Sequence, residues 1–591
     1  MAPRSATAPA LDRIRAAANL GAAFRARVSD APAATACLEP GNDGFAAVSA
    51  EAFGEEVMAI ARALLGFGLD PGDRLALMGP NGRWWAAVDL AAQCLGVVVV
   101  PLYQGQQAAE LRYILEDAAP VLVCIRGAKA VDELAATHNQ RDYAPPVAVA
   151  DAGDRALGEP MRDWASFLAA GSEVAPEAVA RTNAAVGRDH LATLVYTSGT
   201  TGWPKGVELT HGNLLANMEG ILETLAIEAG DRFLSFLPVA HIFERTTGHL
   251  LAYLAGCEVA YARGPQSVAA DLGAARPTIL VAVPRLYQVF HDRAQTQRER
   301  SRLTDRLLRW ATGDGEAPPR LRGGLARQLL RRRFRQRFGG RIRLMVSGGA
   351  ALPPEVATFF RDVGMPILEG YGQTETAPVV ACNRPGSVRI GTVGLPLPNV
   401  AVRLGDQGEV QVHGPNVMRG YWNRPEETAA VFDGDWLRTG DVGELDADGY
   451  LRITDRLKDL LVTSGGKNIP PQRVELRLSA QPLIQQAVVF GDRQPFLAAL
   501  IVPDWEGLWQ HLGRDPTAPA QPDDAGANRL VRDTMHRALA DLPGWEQVRR
   551  FQLLAEPLTQ ERGEVTPTLK VKRKVVADHY AETIAALFAD T

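Results

Sequence analysis

One stretch constrains this chain more than any other: Tyr-Thr-Ser-Gly-Thr-Thr-Gly-Trp-Pro-Lys-Gly-Val-Glu-Leu-Thr-His, Tyr196 to His211. It follows the apolar run Leu191-Ala192-Thr193-Leu194-Val195, which reads as a buried strand. The Ser, Thr and Gly residues then read as a loop with little side-chain bulk. Such a loop points backbone N–H groups and hydroxyls at a phosphate. Lys205 adds a positive charge, and Pro204 stiffens the turn before it. The pattern differs from the G-x-x-x-x-G-K-[ST] loop of P-loop NTPases, because the lysine follows Trp203-Pro204 and not a glycine. Taken alone, a Gly/Ser/Thr cluster is equally readable as a flexible surface loop.

At 591 residues the chain has room for several domain-sized units and a large core. Its 46% hydrophobic and 22% charged residues are those of an ordinary globular protein. A formal net charge of −5 argues against a general nucleic-acid binder. The cysteines Cys37, Cys94, Cys124, Cys257 and Cys382 are scattered, with no C-x-x-C pair. That pattern indicates neither a disulfide framework nor a zinc site, and a reducing cytoplasm fits best. Four of the five read as plain core residues. The N-terminus lacks the continuous apolar core of a signal peptide. The longest membrane-span candidate, Leu90 to Tyr103, reads better as helix then strand.

Helical periodicity runs from Ser49 to Leu69, with Phe53, Val57, Ile60, Leu64 and Leu65 on one side. Arg74 to Met78, Val97 to Val100, Val121 to Ile125 and Val147 to Ala150 read as strands, with a helix over Trp84 to Leu95. This alternation predicts an α/β protein with a largely parallel sheet. Arg298 to Arg343 is helical in pattern but dense in arginine, broken at Gly313 to Pro319. It reads as a solvated helical hairpin, with a basic face toward anionic lipid or coenzyme A phosphates as the sharper alternative. After Asn399 short strands follow: Val400 to Leu404, Gly408 to His413 and Tyr450 to Thr454. Gly513 to Ala527 reads as a surface loop.

Further motifs follow in order. Phe236-Leu237-Pro238-Val239-Ala240-His241-Ile242-Phe243-Glu244-Arg245 places a histidine in an apolar setting. Leu344 to Leu352 is a strand meeting a Gly-Gly turn, where glycine allows a flat ligand close to the backbone. Glu369-Gly370-Tyr371-Gly372-Gln373-Thr374-Glu375-Thr376 combines an aromatic face, a hydroxyl donor and a hard carboxylate ligand. Asp441, in Trp436 to Asp441, is acceptor-only and can take both hydroxyls of a diol. Asp455-Arg456-Leu457-Lys458-Asp459, Ser464-Gly465-Gly466-Lys467-Asn468-Ile469 and Gly563 to Lys574 complete the set. Together with Tyr196 to His211, these segments resemble the motifs of the adenylate-forming enzymes: acyl-CoA synthetases, luciferases and peptide-synthetase adenylation domains. LPVAHIFER, DRLKDLLVTSGGKNI and EVTPTLKVKRK are most similar to long-chain fatty acyl-CoA ligases. The resemblance runs from about Phe45 to about Val576.

The resemblance implies roles for particular residues. Thr197, Ser198, Gly199, Thr200, Thr201, Gly202 and Lys205 would hold the phosphates, and Thr197 and Glu375 would share Mg²⁺. Gly349, Ala350, Tyr371 and Gly372 would surround adenine, Thr374 would reach the α-phosphate, and Asp441 and Arg456 would hold the ribose. His241 would sit beside the acyl and nucleotide sites, and Lys570 would be the catalytic lysine. Gly465, Gly466 and Lys467 would line the pantetheine tunnel. Phe236, Val281 and Tyr287 lie near segments that line the family's acyl tunnel.

The implied fold is α/β: a large N-terminal domain, 1–454, of parallel-type α/β subdomains with a small β subdomain at 400–454. A smaller mobile α+β C-terminal domain, 455–591, would follow, hinged at Asp455. The implied activity converts a long-chain fatty acid to acyl-AMP and then to acyl-CoA, using ATP, Mg²⁺ and coenzyme A. Two alternatives stay open at this point. One is an acyl-AMP ligase that delivers to a carrier protein. The other, from a different class, is a non-catalytic nucleotide-binding or membrane-scaffolding protein; the retained Lys570, Glu375 and Asp441 speak against it. A homodimer and peripheral contact with the inner face of a membrane are compatible with the sequence and not required by it.

Overall fold

The computed structural model describes residues 8–41, 44–138, 145–197, 203–300, 324–457, 460–464, 468–566 and 571–589. Among these, two large sheets organise the first part of the chain. The eight-stranded sheet carries Leu191–Thr197 beside Val98–Leu102, then Arg74–Met78, Leu122–Arg126, Val147–Ala150 and Met161–Asp163, all parallel. Lys205–Thr210 and Gly420–Tyr421 extend its other edge antiparallel. The nine-stranded sheet has a parallel centre built from Arg232–Ser235, Ile279–Ala282, Leu344–Ser347 and Ile367–Gly372. The central parallel strands, such as Val98–Leu102, Val147–Ala150, Ile279–Ala282 and Leu344–Ser347, are nearly continuous in buried apolar residues, as strands covered on both faces must be.

The helix expected over Ser49 to Leu69 is Ala50–Gly66. Ser49 is its N-cap and accepts from the Ala52 N–H, at 3.1 Å. That bond satisfies one of the free donors of the first turn. Phe53, Val57, Ile60 and Leu64 are buried along it, and Leu65 is half-buried. Leu90 to Tyr103 divides into the end of the helix Arg83–Leu95 and the strand Val98–Leu102. No helix of the described residues is long and apolar enough to cross a membrane. All five cysteines are buried free thiols, one more than the sequence reading placed in the core.

A five-stranded sheet follows, with Ala401–Leu404, Glu409–His413, Phe432–Asp433, Trp436–Leu445 and Leu451–Arg456. Its last strand runs two residues past the expected limit at 454, because Asp455 and Arg456 still pair with Val442 and Asp441. Asp455 is buried at the end of this strand. The C-terminal part has its own core around the three-stranded sheet Ile484–Phe490, Leu497–Pro503 and Val548–Leu553. The loop expected from Gly513 to Ala527 stops short. Asp524 caps the helix Ala525–Ala538, accepting from the Ala527 N–H at 2.8 Å. In the Arg-rich segment, the helix Gly324–Arg337 buries Phe334 and exposes Arg331, Arg332, Arg333 and Arg337. That is the pattern of a solvated helix; residues 301–323 fall outside the described residues.

Candidate active site

A cavity of about 750 Å³ opens at the carboxyl ends of Leu191–Thr197, Leu344–Ser347 and Ile367–Gly372. Open α/β sheets bind ligands at that edge. Thr197, Lys205, His241, Gly349, Tyr371, Gly372, Thr374, Glu375 and Arg456 all line it. Asp441 and Ala350 instead line the larger adjoining cleft of about 2630 Å³, which shares Gly349, Tyr371, Gly372 and Arg456 with the cavity. Ser198, Gly199, Thr200, Thr201, Gly202, Gly465, Gly466, Lys467 and Lys570 lie outside the described residues. The flanks of Lys570 do not: Thr566 and Lys572 line the cavity, with Gln560, Gly563 and Val565.

The phosphate-type loop is the connection of a hairpin. Thr197 and Lys205 are cross-strand partners at its base. The Lys205 ammonium pairs with the Glu427 carboxylate and lies over the Tyr421 ring, 5.0 Å from its centroid. The Tyr421 hydroxyl donates to Glu375 Oε1 at 2.9 Å. Burial pushes the Glu375 carboxyl above its ordinary range, and the Tyr421 hydroxyl and the Arg456 charge pull against that rise. Tyr421 therefore ties the proposed metal ligand to the proposed phosphate lysine. Its register on the sheet edge, opposite Val207, puts it there.

Tyr371 and Arg456 both donate to Asp441, Tyr371 Oη to Oδ2 at 2.6 Å and Arg456 Nε to Oδ1 at 3.0 Å. Each carboxylate oxygen keeps a further lone pair for a ligand hydroxyl. Burial and the charge of Asp441 hold the Tyr371 phenol far above its ordinary pKa, so it stays a donor. Gly372 is required by close approach: a Cβ there would lie 1.9 Å from the Pro378 carbonyl oxygen. At Gly348 a Cβ would lie 2.7 Å from the Phe243 ring.

His241 Nδ1 accepts from the Phe243 N–H at 3.1 Å. The ring is therefore the tautomer with its proton on Nε2. Burial lowers its pKa to about 4, which keeps it neutral near pH 7. A π-helix, Glu244–Leu250, follows directly. Its Arg245 is fully buried and makes a two-pronged pair with Asp89, at 2.9 and 2.5 Å, and donates to Thr193 Oγ1 at 2.6 Å. The arginine of the HIFER phrase is thus an anchor between sheets.

From His241 the cavity continues as an apolar arm. Phe233, Ile279, Val281, Leu344 and Val346 form one wall and Ile221 and Leu225 another. Ile279 is paired with Leu344, and Val281 with Val346, across adjacent strands. Of the three expected acyl-tunnel residues, only Val281 lines this arm. Phe236, just past the strand Arg232–Ser235, and Tyr287, on the helix Pro284–Arg300, pack instead with Leu280 and Met345, whose side chains face the other side of the sheet because strand residues alternate between faces.

Two family models match the chain: AMP-binding enzyme over residues 24–422 and AMP-binding enzyme C-terminal domain over 458–591. The chain belongs to the AMP-binding enzyme family. Among its relatives is the long-chain-fatty-acid–CoA ligase FadD15 of Mycobacterium tuberculosis. It is 33% identical over 552 residues, covering 90% of this chain and 91% of that protein. Human long-chain-fatty-acid–CoA ligase 6 is 31% identical, covering 87% of this chain and 78% of that one. The fold is shared with the A domain of carboxylic acid reductase from Segniliparus rugosus, in complex with AMP and a co-purified carboxylic acid. The TM-score is 0.80 at 23% identity, covering 98% and 96% of the two chains.

The sequence reading missed Tyr421 and Glu427. Tyr421 reaches this site by strand pairing with Val207, more than 200 residues away; Glu427, on the helix Pro425–Ala430 that follows, pairs with Lys205, and neither lies in a segment that stood out as a motif.

Proposed function

We propose that the protein activates a long-chain fatty acid with ATP, forming acyl-AMP and pyrophosphate, and then passes the acyl group to coenzyme A with release of AMP. One observation carries this reading. Phosphate-type, nucleotide-type and metal-type groups converge on a single cavity whose far arm is apolar. The relatives named as CoA ligases favour coenzyme A over a carrier protein as acceptor.

Magnesium suits the donor set. Among the described residues no cluster of three His, Cys, Asp or Glu side chains could hold a metal alone. The Glu375 carboxylate and the Thr197 hydroxyl both line the cavity, and Mg²⁺ is commonly held by one or two carboxylates plus substrate phosphates. When bound it would neutralise phosphate charge. Lys205 adds a cation at the base of the loop, where the phosphates would take over from Glu427 as its partner. Asp441 would accept the ribose hydroxyls, held in place by Tyr371 and Arg456. The neutral His241 would offer its Nε2–H between the nucleotide and acyl arms without adding charge.

The fatty carboxylate attacks the α-phosphorus, and the P–O bond to pyrophosphate breaks. Two anions must approach, so cationic groups that act on the developing charge lower the barrier. Lys570 is assigned to this step, on a segment whose flanks line the cavity. The coenzyme A thiol then attacks the acyl carbon, loses its proton and expels AMP. The C-terminal domain would turn about Asp455 between the two steps, exchanging Lys570 for the Gly465 to Lys467 turn. The five buried thiols support a reducing compartment.

ATP-dependent pyrophosphate release, measured across saturated fatty acids of graded length with and without coenzyme A, tests this reading. Release that peaks with long acids, with AMP and thioester formed once coenzyme A is present, is the expected result. Release without thioester would move the assignment to a carrier-directed acyl-AMP ligase.

A further inference from the structure

The turn Pro80-Asn81-Gly82 joins the strand Arg74–Met78 to the helix Arg83–Leu95 in the eight-stranded sheet. The Asn81 side chain leaves that sheet and meets the loop that leads from the strand Arg232–Ser235 of the other sheet to His241. Asn81 Nδ2 donates to the Leu237 carbonyl at 2.6 Å and to Ser235 Oγ at 3.1 Å, while Oδ1 accepts from the Val239 N–H at 3.0 Å. The partners fix the orientation of the amide, since a carbonyl only accepts and an N–H only donates. The clasped loop ends at His241, whose own N–H closes a turn onto the Pro238 carbonyl at 2.9 Å. On the far side, Arg245 is locked to Asp89 of the helix that Asn81 precedes. His241 is therefore held between two attachments to the same strand–helix unit, Asn81 on its N-terminal side and Arg245 on its C-terminal side.

We propose that Asn81 is a positioning residue for the adenylation step: it sets the loop Ser235–Ala240 so that His241 presents Nε2–H to the cavity. This rests on the reading of His241 as a substrate-site residue. Asn81 is not among the residues that line the cavity, so its effect must pass through the loop it holds. A catalytic group displaced by about 1 Å can lose on the order of 100-fold in rate.

The test is a double-mutant cycle with Asn81→Ala, His241→Ala and the pair, read as kcat and KM for ATP-dependent pyrophosphate release from palmitate. The thermal midpoint of each variant checks folding. Asn81→Ala is expected to lower kcat by roughly 10- to 100-fold with the KM for ATP within about twofold of wild type, since the phosphate hairpin is untouched. In the His241→Ala background the same substitution is expected to change kcat by less than about twofold. Asn81→Asp keeps the shape but turns a carboxylate oxygen toward the Leu237 carbonyl, so it should be at least as slow as Asn81→Ala. It also serves if the alanine variant does not fold. Multiplying losses in the double variant would overturn the proposal, as would a slow Asn81→Ala beside a fully active His241→Ala, because the clasp would then act elsewhere. Full activity of His241→Ala by itself would count against the reading of His241.

Discussion

The apolar arm supports a quantitative test, because two pairs of residues stand at known steps along its wall. Val281 and Val346 face each other nearer the carboxyl ends of their strands, and Ile279 and Leu344 stand two residues deeper. Two residues of strand advance about 6.6 Å, and an extended acyl chain advances about 1.3 Å per methylene from ordinary bond geometry. A phenylalanine at 281 should therefore stop the chain about five methylenes sooner than one at 279. Each buried methylene contributes about 0.8 kcal/mol, so the five together are worth about 4 kcal/mol, or roughly 10³-fold in kcat/KM. The assay is pyrophosphate release across saturated acids of graded length for Val281→Phe and Ile279→Phe. Both cut-offs should shorten from wild type, with Val281→Phe shorter by about five carbons. Overpacking costs on the order of 1–3 kcal/mol of stability, so thermal midpoints accompany the kinetics. Leu280→Val, on the opposite face of the same strand, should lower stability and leave the cut-off where it was. Equal cut-offs for the two phenylalanine variants, or the reverse order, would refute the placement of the acyl chain in this arm.

Three other perturbations separate parts of the site. Lys570→Ala should abolish acyl-AMP formation and spare thioester formation from supplied acyl-AMP; equal loss of both half-reactions would count against the two-step exchange at this residue. Tyr421→Phe removes the donor to Glu375 and keeps the ring beside Lys205. The lost bond to a charged group is worth about 1.5–3 kcal/mol, so adenylation should slow by roughly 10- to 100-fold and half-maximal rate should need more Mg²⁺; an unchanged Mg²⁺ titration would show that Tyr421 does not orient the ligand. Burial raises the Glu244 carboxyl to about 8. Its folded form holds a proton that the unfolded chain releases near pH 4.5, so the group costs nothing below that value. It destabilises the fold progressively as pH rises to about 8, at up to about 1.4 kcal/mol per pH unit. The stability advantage of Glu244→Gln over wild type should therefore grow from pH 5 to about 8 and stay flat above it, as read from denaturant midpoints; a constant difference would show that Glu244 titrates normally.

What was legible in the sequence follows from how far apart the cooperating groups lie. Tyr196 to Lys205 spans both arms of one hairpin, so its strand, loop and cation are contiguous and their chemistry reads directly from residue types. Tyr371 to Glu375 is likewise one strand end and one tight turn. Tyr421 and Glu427 enter only because Gly420–Tyr421 pairs with the far edge of that hairpin, and a sheet-edge register is not written in local periodicity. The apolar arm shows the same limit. Val281 and Tyr287 are both apolar-rich neighbours in sequence, yet the sheet separates them. Period two sends Val281 to the cavity face and Leu280 to the other, where Tyr287 bonds the Val346 carbonyl from behind at 2.9 Å. Arg245 makes the converse point. In sequence it travels with His241 as one phrase, and in space its guanidinium points away from the cavity into the Asp89 carboxylate. Segments that stand out together therefore contain two kinds of residue: those that meet the ligand and those that fix the segment between sheets. Telling them apart requires knowing which partner each polar atom has.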